Sequence, residues 1–283
     1  MSADSSTTLT PLTLSTEISP LPAKKPVSRF RWAVHLLIMA SLPLIAGFAG
    51  KASRGGGPAL TDNVRGLLFV TAYELLFFAA IFGVAWLFSR ATRDDLLMRW
   101  RPGYWVIPLG VLYSVAIRLA VGAILVFCTL VYVVFTHASM ASVQAFSQAN
   151  QPKVGALLDV NALAHNPVYF WLLVAVVSPV VGGLREEIWR SSFLAGLRSL
   201  SPGVFASEKG GILAAGVAAL FFGLGHYPQG WLAVGMITIV GFLLGVVMTM
   251  HRSIWPSVVA HGVFDATSMG LLLVALPYLK SVQ

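Results

Sequence analysis

Charge is scarce in this chain. Asp, Glu, Lys and Arg make up 11% of its 283 residues, against about a quarter in soluble domains. With 57% hydrophobic residues and a mean hydropathy of +0.80, an ordinary water-soluble globule is excluded. Cysteine is almost missing: Cys128 stands alone in an apolar run, which rules out an intramolecular disulfide framework. RNP-like, helix-turn-helix and zinc-finger patterns are absent. The formal net charge of +8 is spread among short loops, as orientation signals are. The lipid bilayer is therefore the expected partner, and nucleic acid is not.

What the chain has in quantity is long apolar runs. A spanning helix needs about 20 mostly apolar residues. The runs at 32–50, 66–89, 104–136, 168–199, 210–226, 230–250 and 254–276 meet that length. The expected fold is all-α, a polytopic transmembrane bundle of about seven helices. Four regions follow: a Ser-, Thr- and Pro-rich disordered cytoplasmic tail over 1–31, N-terminal transmembrane helices over 32–136, a polar loop over 137–167, and a compact transmembrane domain over 168–276. Pro179 with Gly182 and Gly183 predicts a kink in the fourth run. Gly241 and Gly245 give the sixth a small face for close helix packing. With the N-terminus cytoplasmic, seven spans put most of the 19 Lys and Arg on the inner side. The long tail before the first apolar run reads as the lead into an uncleaved anchor of a bacterial inner (cell) membrane protein.

Against that background, ionisable residues inside apolar runs stand out, because each costs at least about 2.5–3.5 kcal/mol to insert and is usually paired or functional. Among the acids these are Glu74, Glu186, Glu187 and Asp265; among the histidines, His226 and His261, with His35 close to the first interface. Glu74 and Arg118 fall at similar depths on adjacent antiparallel helices, which predicts a structural ion pair. In the C-terminal region, helix rise places Glu186 roughly 20 Å and His226 roughly 24 Å above the turn that joins their helices. His261 and Asp265, at i and i+4, share one face of the last helix. Glu186 and Arg190 share a face in the same way. Acids and histidines from three helices thus converge on one buried point.

Such a point permits hydrolysis. A glutamate can deprotonate water. Neutral imidazoles can bind a divalent metal or donate to a developing oxyanion. Asp265 can orient a ring nitrogen of His261 or complete a metal shell. Ser191 and Ser192 lack a nucleophile-elbow setting, and no HExxH helix is present. A proton-coupled transporter uses the same residue types, and residue chemistry alone does not separate the two.

The wording of three motifs adds to this. "EEIWRSSFL" (186–194), "FFGLGHYPQG" (221–230) and "SIWPSVVAHGVFDA" (253–266) together resemble the CPBP family of intramembrane proteases, which includes prenyl-protein endopeptidases acting on CAAX proteins and bacterial bacteriocin-processing and immunity proteins. Its pattern is EExxxR, then FxxxH, then HxxxN or HxxxD. Phe222 to His226 fits the second and His261 to Asp265 the third. In the first, the arginine stands one place early, at Arg190, and Ser191 occupies the family position. A helical rotation of about 100° then turns Arg190 towards Glu186 rather than Glu187.

The resemblance implies a water-accessible site within the bundle. Glu186 would be the base that activates water, Glu187 its supporting partner, and His226, His261 and Asp265 would hold water, the tetrahedral intermediate and a Zn2+ ion if one is bound. His226 and His261 are the candidate metal ligands. The substrate implied is a membrane-associated protein or peptide. A non-catalytic immunity or regulatory protein of the same fold is the alternative that the displaced arginine favours, and a transporter comes third.

Overall fold

The computed structural model describes residues 28–53 and 59–280. All elements among them are helical. Seven helices are long and apolar enough to cross a membrane: Arg29–Phe48, Val64–Ser89, Gly103–Thr136, Pro167–Leu200, Glu208–Gly225, Trp231–His251 and Trp255–Leu276. The seven expected spans are all present. The expected disordered tail falls mostly on residues 1–27, which lie outside the described residues, and its last residues, from Arg29, already belong to the first helix.

We label the helices α1 (Arg29–Ser53), α2 (Val64–Ser89), α3 (Val106–Thr136), α4 (Met140–Asn150), α5 (Val160–His165), α6 (Pro167–Leu172), α7 (Glu186–Leu200), α8 (Pro202–Phe205), α9 (Glu208–Gly225), α10 (Trp231–His251) and α11 (Trp255–Lys280). Several starts are capped by side chains that accept from otherwise orphaned backbone N–H groups. Asn63 Oδ1 accepts from Gly66 N at 2.8 Å, Asp159 Oδ1 from Ala162 N at 2.6 Å and Ser207 Oγ from Gly210 N at 3.0 Å. The burial pattern is inverted relative to a soluble protein. Phe69, Leu76 and Phe135 face outwards, whereas Glu187, Arg190, Ser191, Ser192 and His261 are buried. Outward apolar side chains meet hydrocarbon at no cost, and the buried polar side chains pair within the bundle, with Glu187 Oε2 and Arg190 Nε and Nη2 left without a hydrogen-bond partner.

The fourth span is irregular where the sequence suggests a kink. It runs on from α6 through a π-helical segment, Leu173–Arg185, into α7. Pro179 lacks an N–H and cannot serve the i→i−4 ladder; around it the helix is widened over thirteen residues. The widened segment packs against α11 at unusually close range. A Cβ on Gly183 would sit 2.8 Å from the Val258 carbonyl oxygen, and one on Gly182 would collide with Asp265 Oδ2. Gly262 answers from the other side, where a Cβ would lie 3.0 Å from Pro179 Cα. Small residues on both surfaces bring the two backbones together.

On the other side of the bundle, Ala214, Ala215, Ala218 and Ala219 of α9 are buried. A Cβ on Gly245 would come within 2.8 Å of Ala215 Cβ, in line with the small face read from the sequence.

Two expectations change. The stretch over 137–167 is not simply a loop. It contains α4 and α5, and it docks through Leu60 N to Leu157 O (2.8 Å) and Lys153 N to Gln229 O (2.9 Å). Leu158 and Leu163 are buried with Leu67 and Tyr169, so the apolar positions within this polar stretch have a core of their own. Arg118 turns away from the expected pairing with Glu74. Its Nη2 donates to Phe264 O at 2.9 Å and Thr267 Oγ1 at 2.7 Å, and the guanidinium lies 4.4 Å from the Phe264 ring centroid. The middle of α11 offers carbonyl and hydroxyl acceptors that depth alone did not reveal.

Substituting Gly183→Ala overpacks the interface between the widened helix and α11, at a cost of about 1–3 kcal/mol. The expected result is a fall in Tm of roughly 5 °C in detergent. Gly235→Ala, where a Cβ meets nothing within 4 Å, serves as the control and is expected to leave Tm nearly unchanged.

Candidate functional site

The site is built on the first turn of α7, the end of α9 and the first half of α11. Adjacent residues on a helix point about 100° apart, so Glu186 and Glu187 cannot face the same way. Glu187 faces the interior and is fully buried, while the Glu186 side chain keeps 16% of its surface exposed.

Glu187 is the junction. Its Oε1 accepts from Arg190 Nη1 and, at 2.8 Å, from His261 Nδ1. This corrects the expectation that Arg190 faces Glu186. At i and i+3 the two side chains also share a helix face, and the long guanidinium stem closes the remaining angle. The displaced arginine therefore still pairs with the second glutamate. Ser191, in the family's arginine position, is buried and donates to Leu96 O. Glu186 takes a different cation: Arg185 Nη2 lies 2.7 Å from its Oε1.

Phe222 shapes the centre of the cluster. Its ring meets His226 edge-on at 5.1 Å between centroids and His261 at 6.0 Å, while the Arg190 guanidinium sits 4.6 Å above it. A cation over an aromatic face is stabilised by the ring quadrupole. Gly241 makes room for this stack: a Cβ there would lie 2.8 Å from Phe222 Cδ1 and 3.5 Å from Arg190 Nη2. The glycines of α10 thus accommodate buried side chains as well as helix contact.

The histidines are oriented by separate partners. His261 uses Nδ1 on Glu187, which turns Nε2 towards Glu186 Oε2 and Asp265 Oδ2, each at 3.7 Å. Of the two glutamates and Asp265, it is Glu187 that makes the short bond to the ring. Asp265, one third exposed, lies on the open side of the site against Gly182. His226 follows the last residue of α9, and its Nδ1 lies 3.1 Å from Gln229 Nε2. An amide nitrogen can only donate, so Nδ1 accepts and the ring proton resides on Nε2. His226 also lies within electrostatic reach of Glu186 and His261.

Glu186, Glu187, Arg190, His226, His261 and Asp265 are thus brought together as the sequence suggested. Gln229, Arg185 and Gly182 also belong to the neighbourhood. Gln229 lies three residues beyond His226 within a recognised motif, and that spacing was the available signal. His35 plays no part: it is buried, with Nδ1 donating to Ala85 O at 3.0 Å and Ser192 Oγ donating to Nε2 at 2.8 Å, and it ties α1 to α2 and α7. Among the described residues, no three His, Cys, Asp or Glu side chains are grouped so as to hold a metal ion.

These features define a polytopic membrane protein with a buried acid–histidine cluster whose Glu186 and Asp265 side chains are partly exposed. Residues 165–267 match the family model described as Rce1-like, type II CAAX prenyl endopeptidase Rce1-like. The matched segment is the one that holds the three motifs, and the match agrees with the resemblance to CPBP intramembrane proteases read from them. No curated protein and no solved structure matches the chain.

The buried pair gives a stability prediction. Arg190→Met strands the Glu187 carboxylate in the interior and is expected to cost about 3–5 kcal/mol. Adding Glu187→Leu removes the stranded charge, so the double variant should unfold at a higher temperature than Arg190→Met alone. Thermal unfolding in detergent makes the comparison.

Proposed function

We propose that the protein is an intramembrane endopeptidase that hydrolyses a peptide bond in a membrane-associated protein or peptide, with Glu186 as the base. The observation that carries this reading is the division of labour between adjacent glutamates: Glu187 is committed to Arg190 and His261, whereas Glu186 reaches the open side with its Oε2 3.7 Å from His261 Nε2. That separation is too long for a direct hydrogen bond and suits a bridging water.

In the proposed reaction, Glu186 takes a proton from that water as its oxygen attacks the carbonyl carbon. The carbonyl oxygen becomes an oxyanion, and His226 donates to it through the Nε2–H that Gln229 selects. Collapse breaks the C–N bond, and Glu186 returns the proton to the leaving amine. Glu187 and Arg190 act as positioning residues. Glu187 fixes the His261 ring through Nδ1, and Asp265 borders the same space on the exposed side.

Zn2+ is the cofactor the family resemblance brings into view, with His226 and His261 as its ligands. Two imidazoles fall short of the three protein ligands typical of catalytic zinc, so no step runs through an ion here. The proposed setting is a bacterial cell membrane with the N-terminus on the cytoplasmic side, following the excess of positive charge on that side. The contact between Arg190 and Glu187 weighs against the non-catalytic reading, because that reading drew on the displaced arginine.

The test is proteolysis of membrane-anchored peptide libraries by the full chain in lipid nanodiscs, with products identified by mass spectrometry. Glu186→Gln is expected to lower kcat at least 100-fold with Tm unchanged. Gln229→Leu should lower kcat about ten-fold while KM changes little, because it releases the His226 tautomer without removing the ring. Full activity in Glu186→Gln would refute the mechanism. Near-stoichiometric zinc that disappears in the His226→Ala/His261→Ala double variant would replace it with a metal-assisted one.

A further inference from the structure

One end of the bundle carries an excess of positive charge on a structured frame. The segment between α2 and α3 folds back beneath the helices and is fastened by several hydrogen bonds. Ile254 N donates to Leu97 O at 2.9 Å, Ser253 Oγ to Arg99 O at 2.8 Å, Trp255 Nε1 to Met98 O at 3.0 Å, and Arg198 Nη2 to Asp95 O at 2.6 Å. Leu96 and Leu97 are buried in the core. The segment therefore holds its exposed side chains in place.

Those side chains are arginines and aromatics. Arg93, Arg99, Arg101 and Arg252 are all exposed. Arg99 pairs with Asp94 through both Nε and Nη2. That hydrogen bond holds the Asp94 carboxyl below the usual carboxylate range against a small desolvation penalty, and the charges of Arg99, Arg101 and Arg252 add to the lowering. Three guanidinium groups thus act on one carboxylate, which leaves the cluster with net positive charge. Arg93, Arg101 and Arg252 form no ion pair within 4.0 Å among the described residues. Beside them, Trp100, Tyr104 and Trp105 project outwards, with Tyr104 80% exposed and the Trp100 ring 5.2 Å from that of Trp255. At the opposite end, the described side chains include Arg65 and Lys153 against Asp62 and Asp159, so the charge asymmetry runs along the bundle axis.

From this arrangement we infer that the arginine-rich end, with Arg93, Arg101 and Arg252 at its centre, is a binding surface for anionic phospholipid headgroups. Guanidinium forks match phosphate oxygens in geometry. Trp and Tyr favour the headgroup level, with the ring in the acyl boundary and the polar edge in water. Trp100 stands between Arg99 and Arg101, and Tyr104 and Trp105 follow closely, so a phosphate can meet arginine while its glycerol and upper acyl carbons meet indole. This surface lies at the ends of α7 and α9 opposite the acid–histidine cluster and at the start of α11, and the inference is independent of the proposed reaction. It also assigns this end to the leaflet with the higher content of anionic lipid.

The test uses the full chain in nanodiscs of mixed phosphatidylglycerol and phosphatidylcholine, with the retained lipids counted by native mass spectrometry. Wild type is expected to retain phosphatidylglycerol several-fold over its share of the mixture, and the enrichment should fall at high salt. Each arginine removed should weaken the preference by at most about five-fold, the factor corresponding to ~1 kcal/mol per basic residue near an anionic surface. Arg93→Gln/Arg101→Gln/Arg252→Gln should therefore approach parity, while Arg65→Gln/Lys153→Gln at the other end keeps the enrichment. Should the triple variant fail to fold, single Arg101→Gln and Arg252→Gln variants and the salt dependence of wild type give the same reading. Undiminished enrichment in the arginine variants, an equal loss in the far-end pair, or full displacement by millimolar inorganic phosphate would each overturn the inference; the last would point to a free-anion site.

Discussion

The contact on which the site depends is the bifurcated acceptance by Glu187 of Arg190 and His261, all three buried. A carboxylate placed among membrane helices is costly unless it is paired and hydrogen-bonded. Here one oxygen binds a cation on its own helix and an imidazole on another, so the same interaction that neutralises the charge also joins α7 to α11. The neighbouring packing accommodates it. Gly241 leaves space for the arginine, Phe222 covers the guanidinium face, and Gly182 and Gly183 let α11 approach closely enough for His261 to reach.

Once Glu187 is committed, helical geometry sets the role of Glu186. The next position on the helix points about 100° away, out of the buried core and towards the side on which Asp265 is exposed. Of the doubled acid, one carboxylate is fastened in the core, and its neighbour, paired with Arg185, stays partly exposed. His226 gains its orientation from a turn that the docked 137–167 stretch holds through the Gln229 carbonyl. The polar stretch between the two groups of spans thus contributes to the site from a distance.

Much of this was legible from the chain alone. Span number and approximate ends follow from apolar run length, because hydrocarbon thickness imposes a length that soluble folding does not. The convergence of Glu186, His226, His261 and Asp265 followed from counting residues from shared turns, since helix rise is nearly constant. Rotational detail was less legible. Arg190 was read towards Glu186 because i and i+4 spacing is the simplest rule, whereas a long side chain at i+3 reaches as well. Arg118 was matched to Glu74 by depth, and depth says nothing about which neighbour a helix face meets.

The sequence by itself determined an all-helical membrane bundle with seven spans and a cluster of acids and histidines at matched depth, because bilayer thickness and helix rise are properties of a segment taken alone. Only the tertiary structure decided which glutamate is fully buried and which stays partly exposed beside Arg185, that Glu187 rather than Asp265 makes the short bond to His261, and that the helix around Pro179 is widened. Those outcomes depend on rotation about helix axes and on how closely two backbones approach, and both are set by partners distant in the chain.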